Sequence, residues 1–283
     1  MALFAESVVL VTGASSGIGA ALAREFARQG ADVTLAARRE DRLASVARDV
    51  EALGRRSLVV PCDVTRDGDC ERAVAAAVER FGRLDVAMAN AGFGVAGHFD
   101  ELTLEDYRRQ FETNVFGVLR TMYAALPELR RTRGRIGITG SVSGILPLPA
   151  TSAYSASKFA VRGLGLAVRD ELRDHGVSVT MLEPGFTASD IRRIDNLGRL
   201  REQAREPIPA WLILPADKAA RKIVRAVARR RREVVLTFHG KLGAWAYRHF
   251  PWLVHAVAAR SVGERRSRSF RPGEAPPPSP PAT

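Results

Sequence analysis

The stretch Val8-Val9-Leu10-Val11-Thr12-Gly13-Ala14-Ser15-Ser16-Gly17-Ile18-Gly19 decides the fold. An aliphatic run stops at Gly13, and a helix-forming pattern follows directly after Gly19. This order predicts a strand, a tight turn and a helix N-terminus. Glycine permits turns and close approaches that a Cβ would block, and a helix N-terminus attracts phosphate through its free N–H groups and its dipole. The spacing Gly-x-x-x-Gly-x-Gly therefore predicts a phosphate-binding turn, with a glycine-rich turn that holds no ligand as the alternative.

Length and composition favour one large α/β domain. The chain has 283 residues, of which 46% are hydrophobic, and this is enough for a full core. No apolar run reaches the roughly 18 residues of a membrane-spanning helix, and no signal peptide is visible before the first strand. Cys62 and Cys70 are too few for a disulfide framework or a zinc site, and the histidines lack metal-ligand spacing. We expect a cytoplasmic protein without a metal, with the inner face of the membrane as a peripheral alternative.

Strand-like and helix-like patterns alternate along the chain. The strands after the first are predicted at Ala31–Ala37, Ser57–Cys62, Leu84–Ala89, Arg135–Thr139, Val177–Leu182 and Glu233–Phe238. The later helices are predicted at Asp41–Leu53, Asp67–Phe81, Leu104–Leu126, Ser152–His175 and Asp217–Arg232. Several strands are apolar on both faces, as in a sheet covered by helices on both sides. The pattern predicts a doubly wound parallel sheet of seven strands in a three-layer α/β/α, Rossmann-like fold, with ligands at the carboxyl ends of the strands.

The C-terminal part carries the excess positive charge. Between Asp217 and Glu274 there are fifteen Lys and Arg residues against four Asp and Glu residues, a net +11 of the +12 of the whole chain. We divide the chain into a catalytic domain at 1–239, a helical extension at 240–262 and a disordered basic, Pro-rich tail at 263–283. Pro251 is predicted to split the apolar stretch 241–260 into two short helices.

The helical extension has several possible partners. Its apolar residues, flanked by Arg229–Arg232 and by the arginines at 265, 266, 268 and 271, are typical of weak contact with an anionic membrane surface. The alternative, which we prefer, is packing on a neighbouring subunit or over the substrate cleft. Nucleic-acid binding is not expected, because no recognition module accompanies the arginines.

The residues Tyr154-Ser155-Ala156-Ser157-Lys158 place a phenol and an ammonium on one face of a predicted helix. Ser141 follows a predicted strand, and Asn114 lies within the preceding helix. With these residues the chain resembles the short-chain dehydrogenase/reductase family over about residues 7–238. The matching motifs, in the order of the family, are Thr12-Gly13-x-x-x-Gly17-Ile18-Gly19, Asp63-Val64, Asn90-Ala91-Gly92, Asn114, Ser141, Tyr154-x-x-x-Lys158 and Pro184-Gly185.

The resemblance implies catalytic roles for four residues. Tyr154 is expected to be the general acid in ketone reduction and the base in alcohol oxidation, with its pKa lowered by Lys158 and by the positive nicotinamide. Lys158 is also expected to hold the nicotinamide ribose. Ser141 is expected to stabilise the substrate oxygen, and the backbone of Asn114 to seat a water of a proton relay. An ordinary exposed helical pair is the alternative for Tyr154 and Lys158.

The cofactor predicted is NADP(H). In family members that use NAD, an acidic residue ends the second strand; here that position is Ala37, and Arg38 follows. A guanidinium binds phosphate bidentately; solvated Arg38 and Arg39 and a dual-specific enzyme are the alternative. The cofactor residues implied by the resemblance are Gly13, Ser15, Ser16, Gly17, Ile18, Gly19, Arg38, Asp63, Val64, Asn90, Ala91, Gly92, Tyr154, Lys158, Pro184, Gly185, Thr187 and Ser189. Ser189 stands where the family often has threonine, and either Thr187 or Ser189 is expected to hold the carboxamide.

The expected function is NADP(H)-dependent interconversion of a carbonyl and a secondary alcohol on a hydrophobic small molecule. The substrate pocket is predicted from 93–99, 142–148 and an irregular lid at 186–214, lined by Phe93, Ile145, Leu146, Leu148, Phe186 and Trp211. The resemblance implies a homodimer or homotetramer formed through helices 104–126 and 152–175. Two other functions stay open, a non-catalytic NADP(H)-binding regulator and a peripheral membrane reductase of lipid carbonyls.

Overall fold

A parallel sheet of seven strands organises the computed structural model, which describes residues 2–199 and 208–258. The strands are β1 (Val8–Thr12), β2 (Asp32–Ala37), β3 (Ser57–Pro61), β4 (Val86–Ala89), β5 (Arg135–Thr139), β6 (Ser178–Glu183) and β7 (Glu233–Val235). Their order is β3-β2-β1-β4-β5-β6-β7, and every neighbouring pair is parallel. The predicted fold class is confirmed. Because the order reverses between β1 and β4, a crevice for a ligand opens at the carboxyl ends of these two strands.

Helices cover both faces of the sheet. They are α1 (Gly17–Arg28), α2 (Glu40–Ala52), α3 (Asp69–Phe81), α4 (Leu104–Phe111), α5 (Gly117–Thr132), α6 (Ser152–Leu172), α7 (Ala216–Ala228) and α8 (Phe238–His249), and residues 251–258 are also helical. Val9 and Val11 of β1 pack with α1, α2 and α7. Val8 and Leu10 point to the other face, in the core that contains α3, α5 and α6. Every residue of β1 is buried, which explains its uninterrupted apolar sequence.

The predicted helix Leu104–Leu126 differs from the observed one. Its first part, α4, is followed by a π-helical turn at Glu112–Phe116, and α5 continues through Pro127 to Thr132. The helix extends beyond the proline because Leu129 is fully buried in the core. β7 is also shorter than predicted and ends at Val235, since Thr237 caps α8 by accepting a hydrogen bond from the N–H of Gly240 at 3.2 Å.

The C-terminal extension begins as two helical segments. α8 ends before Phe250, and the second segment begins at Pro251, as predicted. The proposed tail at 263–283 and the arginines at 260, 265, 266, 268 and 271 lie outside the described residues, and the division of the chain into three parts stays a prediction. Among residues 2–199 and 208–258, none of the helices has the length and apolar character needed to cross a bilayer.

The glycines of the first turn are required by close contacts. Gly13 and Gly17 have φ angles of +68° and +52°, which residues other than glycine rarely adopt. Gly19 has no space for a Cβ, because the added atom would collide with the carbonyl oxygen of Gly13 and lie 2.7 Å from Nδ2 of Asn90. Gly19 therefore brings α1 against the turn and the end of β4.

We expect Gly19→Ala to destabilise the protein. The extra methyl group overpacks a site formed by backbone, which costs about 1–3 kcal/mol and lowers the melting temperature by roughly 3–10 °C in a domain of this size. Gly163→Ala is the matched control, since Gly163 is also helical and nothing lies within 4 Å of its added Cβ. Thermal unfolding followed by circular dichroism measures both variants. Equal melting temperatures for the two would contradict this account of the turn.

Candidate functional site

Hydrogen bonds join the carboxyl ends of the three central strands. Oγ1 of Thr12 donates to the carbonyl oxygen of Met88 at 3.1 Å and accepts from the N–H of Asn90 at 3.0 Å. The Asn90 side chain donates to the carbonyl of Thr12 at 3.0 Å and accepts from Oγ1 of Thr139 at 3.1 Å. The ends of β1, β4 and β5 thus form one rigid floor beside the glycine turn. The N–H of Ala91 also donates to Oγ1 of Thr12, at 3.2 Å.

The glycine turn holds an arginine that sequence reasoning did not select. Arg39 donates to the hydroxyls of Ser15 and Ser16 at 3.1 and 2.8 Å. Arg38, the predicted cofactor residue, is mostly exposed and lies 3.9 Å from a carboxylate oxygen of Asp63. Burial lowers the pKa of Arg39, and Arg42 and Arg38 lower it further, against the opposing effect of Asp190. The turn therefore lies in a field of positive charge, which suits a phosphate group. The doublet Arg38-Arg39 was the signal, but the sequence did not indicate which guanidinium faces the turn.

Asp63 and Val64, which were predicted as cofactor residues, make contacts within the protein. Oδ1 of Asp63 accepts from the N–H and the hydroxyl of Thr65 at 3.0 and 2.8 Å. Val64 is buried, and its side chain packs so closely on Gly117 that a Cβ there would approach it to 2.6 Å. Both side chains lie past the end of β3, at the same edge of the sheet as the glycine turn, where the carboxyl ends of the strands meet. The turn at Asp63 is well fixed, which suits a contact surface for a ring.

The segment after β6 lies over the glycine turn. The carbonyl of Pro184 accepts from the N–H of Val142 at 2.9 Å, and Gly185 is packed against Thr237 and His239 of the β7–α8 region. Thr187 is buried, and its hydroxyl donates to the carbonyl of Gly185 at 3.3 Å. A Cβ on Gly17 would lie 2.9 Å from Cβ of Ser189. Thr187 and Ser189 are thus both close to the crevice, and the choice between them as the carboxamide contact stays open.

Asp190 connects this segment to the arginines. Its carboxylate lies 3.0 Å from Arg42 and 3.8 Å from Arg39. Arg193, three residues later, is also 3.8 Å from it. The carboxylate thereby connects the segment to α2 through Arg42 and to the glycine turn through Arg39, while Arg193 is a partner within the segment itself. Residues 200–207 of the predicted lid lie outside the described residues.

Asn114 lies in the π-helical turn and is completely buried. Its Oδ1 accepts from the N–H of Phe93 at 3.1 Å, while Nδ2 donates to the carbonyl of Phe93 at 3.0 Å and to Oγ of Ser157 at 3.2 Å. Asn114 therefore connects the loop after β4 to α6. The hydrogen bonds of the side chain are thus all made within the protein, and the predicted role of the Asn114 backbone in a proton relay stays a prediction. Single π-helical turns are frequent at functional sites.

Lys158 is buried at the end of β5. Its Nζ donates to the carbonyl of Thr139 at 2.8 Å and lies 3.8 Å from the position of a Cβ on Gly92. Burial lowers the pKa of Lys158 to about 8, and the nearby Glu183 opposes this shift. The ammonium thus faces the loop Asn90-Ala91-Gly92 in a site poor in solvent. A side chain larger than glycine at position 92 would crowd it.

Tyr154 meets Ser141 at the mouth of the crevice. A Cβ on Gly94 would lie 3.6 Å from Cδ2 of its ring, and the centroid of the ring lies 5.8 Å from Nζ of Lys158. Burial raises the pKa of Tyr154, Glu183 adds to the increase, and a hydrogen bond with the Ser141 side chain and the charge of Arg192 oppose it. The expectation that Lys158 lowers this pKa is therefore not met by the protein's own groups. Burial prevails because it disfavours the phenolate, while the ammonium is directed at Thr139.

Glu183 is a site residue that sequence reasoning missed. It ends β6 and is 0% exposed, and its Oε2 accepts a hydrogen bond from the N–H of Ser141 at 2.6 Å. Oγ of Ser141 in turn accepts from the N–H of Ser143 at 3.1 Å. Burial raises the pKa of Glu183 to about 7, with a further increase from Glu233. An acidic residue that directly follows the apolar strand residues Met181-Leu182 was the available signal.

The predicted substrate-pocket residues do not all come together. Phe93 is buried with Val95 and Ala153, but Trp211 is 83% exposed and lines no enclosed space. Leu148 belongs to a separate open groove of about 430 Å³ on the outer side of α6, with Pro147, Phe159 and His255. Phe186 stacks on His239, with ring centroids 5.3 Å apart. Gly94 lies close both to the Tyr154 ring and to Ile191, and the extended apolar lining is not assembled from the described residues.

These strand ends fit a nicotinamide dinucleotide on three observations. A turn with two left-handed glycines leads into the N-terminus of α1, the guanidinium of Arg39 lies on its serines, and Gly92 leaves room next to the ammonium of Lys158. Backbone N–H groups and cations suit phosphates, and the open floor suits a flat ring.

Comparison with known proteins agrees with this geometry. The sequence profile of the short chain dehydrogenase family matches residues 7–198. The chain is 35% identical over 277 residues to an 11-beta-hydroxysteroid dehydrogenase A of Sesamum indicum, covering 94% of this chain and 79% of that protein. It is 40% identical over 193 residues to an A-factor type gamma-butyrolactone 1'-reductase (1S-forming) of Streptomyces virginiae, covering 67% of this chain and 75% of the other.

Some other relatives are matched over only about half of their length. The alignments cover 52% and 54% of 11-beta-hydroxysteroid dehydrogenases from Pinus massoniana and Arachis hypogaea. Among solved structures, an alcohol dehydrogenase of the archaeon Thermococcus sibiricus complexed with 5-hydroxy-NADP is 30% identical with a TM-score of 0.73, covering 82% of this chain and 96% of that one. On the family profile, the sheet and the strand-end residues together, this chain belongs to the short-chain dehydrogenase/reductase family, whose members are oxidoreductases that use a nicotinamide cofactor.

Proposed function

We propose that the protein is an NADP(H)-dependent oxidoreductase that interconverts a carbonyl and a secondary alcohol on a hydrophobic small molecule. The observation that carries the proposal is the placement of Tyr154 next to Ser141, whose side chain acts on the pKa of the phenol, and next to Lys158, whose Nζ lies 5.8 Å from the centroid of the Tyr154 ring. All three groups lie where the carboxyl ends of β4, β5 and β6 meet. The names of the relatives, which include steroid and lactone-ring substrates, support a hydrophobic substrate class.

The chain's residues have separate tasks in this proposal. The nicotinamide supplies or takes up the hydride when it is bound. Tyr154 donates its proton to the substrate oxygen in reduction, for which its raised pKa keeps it protonated near neutral pH. Ser141 donates a hydrogen bond from its hydroxyl to the same oxygen and stabilises the negative charge that develops there. Lys158 holds the ribose hydroxyls and, with the backbone of Asn114, returns a proton to the phenol.

We expect Tyr154→Phe to lower kcat by about 10²–10⁴-fold, since this is the usual contribution of a general acid. The assay follows NADPH absorbance with a panel of ketones, and fluorescence titration checks that NADPH still binds. Tyr107→Phe is the matched control, because it removes a phenol that bonds Oγ of Ser152 at 2.6 Å outside the reacting cluster.

The Tyr154→Phe experiment also tests the rival function. A non-catalytic NADP(H)-binding regulator would keep its biological effect in the Tyr154→Phe variant, whereas an enzyme would lose it. Undiminished ketone reduction by this variant would contradict the proposed role of Tyr154.

The preference for NADP(H) rests on two arginines. Ala37 leaves no carboxylate at the end of β2, and Arg38 and Arg39 follow it. Arg39 lies on the serines of the glycine turn, while Arg38 extends toward Asp63. A 2′-phosphate between them would receive charge-assisted hydrogen bonds from either guanidinium. The Thermococcus sibiricus enzyme, which was solved with an NADP derivative, supports the same choice.

We expect Arg38→Ala and Arg39→Ala each to weaken NADPH binding by about 10–100-fold, since a hydrogen bond to a charged group contributes about 1.5–3 kcal/mol. The affinity for NADH is expected to change much less. Arg28→Ala serves as control, because Arg28 lies at the far end of α1, 3.6 Å from Glu25. Isothermal titration with both nucleotides measures the ratio. An equal loss for NADH and NADPH in both variants argues against the NADP(H) assignment.

The outer faces of α5 and α6 support a homodimer or homotetramer. Phe116 of the π-helical turn before α5, Tyr123 of α5 and Phe159 of α6 are exposed aromatic residues. Large exposed apolar patches usually mark interaction sites. We place the subunit interface on these helices, as the resemblance implies.

A second candidate is a peripheral membrane reductase of lipid carbonyls. Phe238, Leu242 and Trp245 are exposed along one side of α8, with Lys241 and Arg248 beside this row. Such a helix suits the surface of an anionic bilayer. Arg229–Arg232 were predicted to flank the apolar residues of the extension. They lie before β7, whereas α8 lies after it. Arg230 is bound to the carbonyls of Gly176 and Arg133 at the opposite edge of the sheet.

We expect a double variant Leu242→Ser and Trp245→Ser to reduce flotation with phosphatidylserine vesicles at least about fivefold, because it removes roughly 2–3 kcal/mol of apolar contact. Phe99→Ser is the control, since Phe99 is also exposed but lies in the loop after β4. Flotation with neutral phosphatidylcholine vesicles tests the contribution of charge. Identical flotation of the wild type and the double variant removes the membrane candidate.

A further inference from the structure

A buried carboxyl group lies directly beneath the reacting cluster. The side chain of Glu183 holds the backbone N–H of Ser141 at 2.6 Å. Among the described residues its second oxygen, Oε1, has no hydrogen-bond partner although it is buried. A Cβ on Gly140 would lie 2.7 Å from Oε1, so the glycine leaves room for this carboxyl. A buried polar atom without a partner is costly, and it persists where function requires it.

Charged and titratable groups face Glu183 from several elements. Lys158 and Arg162 on α6 favour its ionised form, and Glu233 on β7 opposes it. Arg162 is paired with Glu233 at 2.6 Å, which reduces the effect of each on Glu183. The end of β5 contributes the uncharged residues Thr139, Gly140 and Ser141. From α8, Nε2 of His239 accepts a hydrogen bond from the N–H of Phe186 at 3.3 Å, so this ring is neutral in the structure.

We propose that Glu183 is a positioning residue of the active site, which fixes Ser141 through its backbone and whose ionisation opposes the loss of the proton from Tyr154. The proposal rests on the proposed function, in which Tyr154 exchanges a proton with the substrate. Glu183 touches neither substrate nor cofactor in this account. It acts on the phenol by its charge and on Ser141 by its hydrogen bond.

The direction of the charge effect follows from electrostatics. A negative charge on Glu183 raises the pKa of Tyr154 and that of Lys158. Because burial raises the pKa of Glu183 itself to about 7, this group changes its charge within the working range of the enzyme. As the pH rises, Glu183 ionises first and delays the ionisation of the phenol. Tyr154 thus remains an acid, suited to carbonyl reduction, to a higher pH than it would beside a neutral group.

Two variants separate the charge of Glu183 from its shape. Glu183→Gln keeps an oxygen that accepts from Ser141 but removes the charge. Its rising limb in a plot of log kcat/KM against pH, measured for alcohol oxidation, is expected to move to lower pH by about half a unit or more. Glu183→Asp keeps the charge but is one methylene too short to reach the N–H of Ser141. It is expected to lower kcat by about tenfold while the limb stays in place.

Thermal unfolding provides a readout that needs no substrate. A carboxyl whose pKa is raised by folding stabilises the protein least when ionised, so the wild type loses stability relative to Glu183→Gln as the pH rises from 5 through 7 to 8. The melting temperature of Glu183→Gln minus that of the wild type is expected to increase by about 2 °C or more over this range. Glu25→Gln is the matched control, because Glu25 is also buried but lies on α1 beside Arg28 and Gln29.

The outcomes distinguish this proposal from the proposed function. A limb that does not move in Glu183→Gln, in an enzyme that Tyr154→Phe inactivates, overturns the role of Glu183 alone. If no substrate is turned over, the proposed function fails, and the melting temperatures alone test whether Glu183 titrates in the folded protein. A difference between Glu183→Gln and the wild type that does not change with pH then overturns the proposal. If Glu183→Gln does not fold, Glu183→Asp carries the test: an unmoved limb with lower kcat supports the proposal, and a shifted limb overturns it.

Discussion

The active-site region depends on a continuous set of hydrogen bonds across the sheet, from Thr12 through Asn90 and Thr139 to Lys158. Each of the first bonds joins the end of one strand to the end of the next. The last bond, from Nζ of Lys158 to the carbonyl of Thr139 at 2.8 Å, connects these strand ends to α6. Asn114 adds a parallel connection between the loop after β4 and the same helix. A glycine turn, an ammonium and a phenol that come from distant parts of the chain are thereby held in one place. Preorganisation of this kind is what a site for hydride transfer requires.

Burial governs the electrostatics of this site more than any single charge pair. It raises the pKa of Tyr154 and Glu183 and lowers that of Lys158. All three shifts favour the neutral form, as expected where water is excluded. Because water is excluded, a charged ligand has a large effect on the pKa of all three groups. The family's nicotinamide cofactor, which is positive when oxidised, is such a ligand.

The fold was predictable because most of the strands, β1, β2, β4, β5 and β6, are buried on both faces and therefore appear as largely apolar runs. Asn114, Ser141, Tyr154 and Lys158 were predicted as a catalytic set from the resemblance to the family, whose motifs can be recognised from local spacing; their roles stay a prediction. Glu183 and Arg39 were not selected, since their roles depend on which neighbours the folded chain brings to them. The π-helical turn and the passage of α5 through Pro127 likewise follow from tertiary packing, which overrides local propensity.

Asp190 gives the crevice an anion of its own. Its carboxylate is held by Arg42 and Arg39 and keeps the segment after β6 over the glycine turn, with Ser189 next to Gly17. An anion that binds these guanidinium groups has to displace the carboxylate of Asp190, which is covalently part of the same chain. The apparent affinity for a ligand falls when only a fraction of the protein is competent to bind it. A small free anion therefore competes with this carboxylate for the guanidinium groups, whereas a large ligand gains further contacts along the crevice.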